Sequence, residues 1–132
     1  MQRTLDTNIC SYILRKRPES VIARFAALNR AESWLSVIVA AELRFGAQKL
    51  GSSQFKDTIE TWLAGFEIKS WTLSAAHHYA TVRNALERQG QPIGNMDLMI
   101  AAHALAEDSV MITNNAREFH RVPGLAVEEW IL

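Results

Sequence analysis

Ser33-Trp34-Leu35-Ser36-Val37 leads without a break into Ile38-Val39-Ala40-Ala41-Glu42-Leu43. Residues 33–37 are a short run of apolar and β-branched side chains, the make-up of a strand. Ser36 is also a preferred helix N-cap, so the stretch predicts a helix that begins there and carries Glu42 at least one turn inside. Similar runs at residues 2–5, 66–71 and 109–113 each end in a turn or capping signal, and residues 125–130 supply a final edge strand. Between them the apolar spacing is helical. Val21, Ile22, Phe25 and Leu28 share a face behind Pro18; Phe55, Ile59, Trp62, Leu63 and Phe66 share another. Tyr79, Val82 and Leu86 mark a third helix that stops before Gly90 and Pro92. Strands alternating with helices predict βαβ units, a three-layer α/β/α fold and a central, mainly parallel sheet with right-handed connections.

No repeat, low-complexity tract or linker divides the 132 residues, so residues 1–132 read as a single domain, large enough to bury a core without disulfides. Cys10 is the one cysteine, which rules out an internal disulfide and fits a reducing cytosol. The start, MQRTLDTN, lacks the apolar region of a secretory signal, and the near-apolar stretch 98–106 is too short to span a membrane. A soluble cytoplasmic protein is expected. Lys and Arg total 14 and so do Asp and Glu, so a polyanionic partner has to be held by a local patch. The tightest basic cluster, Arg15-Lys16-Arg17, equally suits a solvated helix end.

Ligands of open parallel sheets bind at the carboxyl ends of the strands, so the residues that follow each strand carry the information. Asp6-Thr7-Asn8 follow the first, Glu42 lies in the helix after the second, Asp97 in the first turn of a helix near Asn95, and Asn114-Asn115 with Glu118 follow the strand 109–113. Each has a plainer explanation. Asp6, Thr7 and Asn8 are all good N-caps, and Asp97 suits the dipole of a helix start. Glu42 stands among Val39, Ala40, Ala41 and Leu43, where an uncompensated charge is costly, and Arg44 does not share its face. Clustered carboxylates repel unless a cation neutralises them, and oxygen ligands without Cys or His suit magnesium or manganese better than zinc. Such a site hydrolyses phosphodiesters.

Other chemistries are poorly served. His77 and His78 are neighbours on a helix and point about 100° apart, away from a shared metal face. His103, in Ile100-Ala101-Ala102-His103-Ala104-Leu105, reads as a core or interface histidine, and Cys10 as a small core residue. No glycine-rich phosphate loop is present. Trp34, Trp62, Trp71 and Trp130 read as core or interface.

Four blocks together resemble the PIN-domain nucleases. Leu5-Asp6-Thr7-Asn8 is similar to the first signature, and Ala41-Glu42-Leu43 with Gly46-Ala47 to the second. Pro92-Ile93-Gly94-Asn95-Met96-Asp97 with Ile100-Ala101-Ala102-His103-Ala104 resembles the third as found in the VapC toxins. Thr113 through Phe119, then Val122-Pro123-Gly124-Leu125 and Glu129-Trp130, resembles the C-terminal block of that branch, its enteric members most of all. The resemblance spans nearly the whole chain in order and spacing. It implies a magnesium (or manganese) ion, endonucleolytic cleavage of RNA and inhibition by a co-encoded VapB-like antitoxin. For the enteric branch it implies a cut in the anticodon loop of initiator tRNA. By position, Asp6 and Asp97 match the principal metal ligands and Glu42 the third acidic residue, with Thr7 and Asn8 supporting the first carboxylate. The fourth acidic position falls on an amide, Asn115, so Glu118 is a second candidate for it, and Arg117 is placed to meet a phosphate.

Two other functions compete. A phosphatase- or receiver-type pocket needs a lysine at a strand end, and Lys69 falls inside its strand. A non-catalytic RNA- or protein-binding PIN domain is expected to lose the acids, and three remain. A partner groove is expected along apolar helix faces, with Phe25, Leu28, Phe55 and Ile59 as candidates, and the acidic mouth as receptor for an antitoxin arginine. A homodimer is expected, and with antitoxin a larger assembly.

Overall fold

The structure, a computed structural model, describes residues 1–130. Five strands, β1 (Arg3–Leu5), β2 (Ser33–Ser36), β3 (Glu67–Lys69), β4 (Val110–Thr113) and β5 (Val127–Glu129), form one sheet in the order β3-β2-β1-β4-β5. Every neighbouring pair is parallel. The helices are α1 (Thr7–Arg15), α2 (Glu19–Ala26), α3 (Val37–Leu50), α4 (Ser53–Leu63), α5 (Leu73–Arg88), α6 (Asn95–Ala106) and the short α7 (Ala116–Phe119). The expected α/β architecture with a parallel sheet is what forms.

The chain runs outward from β1 through β2 to β3, then crosses back to lay β4 on the free side of β1. The connections leaving β1 and β4 therefore diverge, and a crevice opens at the carboxyl ends of these two strands. Leu5, Leu35, Met111 and Ile112 of the three central strands are fully buried, as a sheet covered by helices requires. Helix α6 is buried nearly all round, and Ala101, Ala102 and Ala104 let it approach its neighbours closely.

Local signals explain the junctions. Ser36, Ser52 and Thr72 each cap the helix that follows by accepting a backbone N–H. Gly51 ends α3 in the left-handed region, at φ 73°, which a side chain would resist. The strands expected at 2–5, 66–71, 109–113 and 125–130 are each shorter than expected, α2 ends at Ala26 short of Leu28, and two further boundaries move for a visible local reason. The strand predicted to include Val37 stops at Ser36, because the serine cap already turns the chain into α3. The helical run predicted to reach Phe66 stops at Leu63, where the Gly65 and Phe66 amides donate to the Trp62 and Leu63 carbonyls and close a turn. Phe66 then stacks on Phe25 and meets Trp62 at a tilt. Trp34 and Trp130 are core, whereas Trp62 and Trp71 are half-buried. Among the described residues no helix is long and apolar enough to cross a membrane.

Candidate active site

Asp6 ends β1 and caps α1: one oxygen accepts the Ile9 amide at 2.8 Å, so the capping role is real. The other oxygen accepts the hydroxyl of Thr113. Pairing of Leu5 with Ile112 sets the ends of β1 and β4 side by side, and that register delivers Thr113 to Asp6. The carboxyl is only 2% exposed. Burial pushes its pKa up to about 6, against the two hydrogen bonds and with help from the charge of Glu42.

Asp97 lies in the first turn of α6 and is half-buried. Burial raises its pKa to about 7, and the charges of Glu118, Asp6 and Glu42 add to the rise. The chain has therefore drawn four acids into one electrostatic group from four elements. Glu42 comes from α3 and accepts the Thr7 hydroxyl at 2.6 Å. Glu118 comes from α7; it accepts the Gly94 amide at 3.1 Å and the Asn115 side-chain amide at 2.6 Å. A cleft of about 380 Å³ opens beside them, lined by Thr7, Asn8, Glu42, Asn95, Met96 and Asp97.

Three expectations about these residues change. Glu42 is not enclosed by its apolar neighbours: Val39, Ala40, Leu43 and Ala47 face the core, while Glu42 is only half-buried and turns to the cleft. Thr7 supports Glu42 rather than Asp6, because the first turn of α1 points its hydroxyl towards α3. Asn8 is exposed along the cleft and makes no hydrogen bond to Asp6. The residue that does hold Asp6, Thr113, was not foreseen. Its signals in the sequence are a hydroxyl at a strand end and its place at the start of the C-terminal block, and the partner emerges only from strand order and register.

The two candidates for the fourth position stand in series. Asn115 donates to Glu118, and Glu118 faces Asp97. Glu118→Gln is therefore expected to reduce activity more than Asn115→Ala when both are assayed at low magnesium; the reverse ranking moves the role to Asn115.

Among the described residues no three His, Cys, Asp or Glu side chains are arranged so that they could hold a metal ion together. The donor set nevertheless fits a hard ion. Magnesium keeps several waters and takes one or two carboxylates from the protein, and acids that raise one another's proton affinity are relieved by a cation. Neither histidine of the His77-His78 pair joins the group, and Lys69, expected inside its strand, is instead the last residue of β3, where it is committed to Glu107 at 3.1 Å. Arg117, exposed on α7 beside Glu118, makes no ion pair among the described residues.

A second groove, about 470 Å³, shares Thr7 and Glu42 with the cleft and continues over Leu14 and Leu43 to Phe55 and Ile59. Of the four apolar residues expected at a partner groove, these last two line it, although Ile59 is mostly core at 1% exposure. Phe25 and Leu28 do not. Phe25 is spent in a stack with Trp62, Phe66 and the Arg30 guanidinium, and Leu28 faces a separate hollow beside Arg24 and Trp130.

The model of the PIN domain family matches residues 4–125. The chain is 39% identical over 130 residues to the tRNA(fMet)-specific endonuclease VapC of Shigella flexneri, covering 96% of each. It is 38% identical over 128 residues to Ribonuclease VapC2 of Rickettsia felis, again covering 96% of each. A chain in the crystal structure of DNA-bound VapBC from Salmonella typhimurium is similar throughout, with a TM-score of 0.92, 36% identity and 99% of each chain covered.

Proposed function

The chain belongs to the PIN-domain family, among its VapC ribonucleases, and from that premise we propose that it is the endoribonuclease toxin of a toxin–antitoxin pair, cutting initiator tRNA in its anticodon loop. The observation that carries this reading is the convergence of Asp6, Glu42, Asp97 and Glu118, from four separate elements, on the crevice between β1 and β4. Asp6 and Asp97 would hold a magnesium or manganese ion with Glu42, and Glu118 would take the fourth acidic position. A bound ion supplies water activation and neutralises charge on the scissile phosphate. The chain's own groups do the rest. Thr113 and the Ile9 amide hold Asp6 in one orientation, Thr7 aims Glu42, and Asn115 with the Gly94 amide fixes Glu118 beside Asp97. Arg117, with no ion pair among the described residues, is a cation next to this group for a flanking phosphate, which a chain with no net charge needs locally.

The test is direct. The purified chain is incubated with total RNA, with magnesium and then with EDTA, and the new ends are sequenced. A single magnesium-dependent cut in the anticodon loop of tRNA(fMet) is the expected result. Ends scattered over mRNA, or in a ribosomal loop, would overturn the substrate while leaving a nuclease; no magnesium-dependent ends at all would overturn the nuclease.

The inhibitor is a VapB-like antitoxin, and the groove running from Glu42 to Phe55 is its proposed seat. An amphipathic segment lying there would bring a basic side chain to the acids, where an arginine fork pairs well with carboxylates. The complex is then expected to bind magnesium more weakly than free toxin and to be inactive. If the complex takes up magnesium as tightly and still cuts RNA, the antitoxin acts elsewhere. Val37 and Phe45, 37% and 66% exposed and two turns apart on α3, give the toxin an apolar stripe for the proposed homodimer. The reading places the protein in the cytoplasm, with its tRNA.

A further inference from the structure

His103 is fully buried on α6, six positions after Asp97. Its Nδ1 lies 2.8 Å from the hydroxyl of Ser36. Ser36 in turn caps α3, its oxygen accepting the Ile38 amide at 3.1 Å, which leaves its own hydrogen free to donate to Nδ1. Glu42 follows on the same helix, six positions after Ser36. One hydrogen-bonded step thus connects the helix that carries Asp97 with the start of the helix that carries Glu42.

The ring is held on its other sides as well. Trp34 meets it edge-on, with centroids 4.7 Å apart and planes at 62°. Trp34 is itself fixed, donating from Nε1 to Ser109 at 2.9 Å, with the Lys69 ammonium 5.2 Å above its face. Burial lowers the imidazole pKa from its ordinary value, against the charge of Glu107 and the Ser70 backbone and with help from Lys69, so the ring is neutral around pH 7. Its Nε2 is buried and makes no hydrogen bond of good geometry, with the Ser70 backbone as its polar neighbour. A buried polar atom so weakly partnered is costly, and leucine would occupy a similar volume without that cost. The histidine is therefore expensive as packing alone.

Resting on the carboxylate-site reading above, we propose that His103 is a positioning residue: through Ser36 it sets where α3 begins, and so where Glu42 stands relative to Asp97. The imidazole never touches substrate or ion. It acts through the cap.

Two substitutions separate this role from ordinary packing. His103→Leu fills the space but cannot engage Ser36. His103→Asn leaves a void but keeps a polar atom close to the position of Nδ1. Two measurements on the whole chain read the tie: Mn2+ affinity by calorimetry, and amide hydrogen exchange of residues 37–39 in metal-free protein. For His103→Leu the expected results are Mn2+ binding weakened about tenfold and exchange at the start of α3 faster by about the same factor, the scale of one lost hydrogen bond. His103→Asn is expected to stay within about threefold of wild type in both, even where its melting temperature is the lower of the two. The inference fails if His103→Leu matches wild type in either measurement, or if His103→Asn is as impaired as His103→Leu. Wild-type protein that binds no Mn2+ sinks the metal reading instead, and the exchange rates then decide the tie on their own.

Discussion

Asp6→Asn and Asp97→Asn are each expected to lower RNA cleavage at least about a hundredfold, the upper end of what loss of a metal ligand's supporting partner alone costs. Both fold. Asn is as good an N-cap as Asp, so the Ile9 amide keeps its partner in Asp6→Asn, and each replacement nearly conserves volume. What is lost is the negative charge, and with it the affinity for a hard cation. His77→Ala, exposed on α5 and remote from the acids, is the matched control and should cut RNA like wild type. The measurement is initial cleavage rate at saturating magnesium, with circular dichroism to confirm the fold. Near-wild-type activity in either well-folded variant would remove Asp6 or Asp97 from the site.

In EDTA at pH 8 the same two variants should melt higher than wild type, and at pH 4 the advantage should vanish. The sign follows from the carboxyls. The pKa of Asp6 is pushed up to about 6 and that of Asp97 to about 7, both above the ordinary 3.8. The native state therefore binds more protons than the unfolded chain between these limits, and stability is lost as pH rises through them. Below about pH 4 the carboxyls are protonated in both states and the contribution is whole. For the buried Asp6 the penalty at pH 8 is roughly 2–3 kcal/mol, several degrees of Tm for a domain this size. Because burial is the largest cause in both cases and mutual repulsion only adds to it, Glu42→Gln is expected to raise Tm by less while still losing most activity. His103, whose depressed pKa acts in the opposite direction at low pH, is common to wild type and variants and drops out of the comparison. Millimolar magnesium should abolish the wild-type loss. A sharp fall in the Tm of Glu42→Gln in EDTA would instead make Glu42 half of a structural pair.

Much of this protein is written locally. Ser36, Ser52 and Thr72 announce three helices because a side-chain oxygen and a backbone N–H two or three residues on are neighbours whatever the rest of the chain does. Asp6 and Glu42 are identifiable for a related reason: each comes after a strand, and parallel sheets use those ends, whereas Asp97 follows helix α5 and shows itself only as an acid in the first turn of α6. Which groups those acids meet is another matter. Thr113 lies 107 positions from Asp6 and reaches it only because β4 returns to the free side of β1 in the register Leu5 to Ile112. Thr7 turns to Glu42, and His103 to Ser36 across 67 positions, for reasons equally remote from local spacing. Apolar periodicity placed Phe25 and Phe55 on helix faces alike, yet one is consumed by an aromatic stack and the other lines the groove beside Glu42. A helical repeat reports which side of its own helix a residue takes. What that side faces is decided by strand order and helix packing, long-range contacts whose closure only the assembled fold determines.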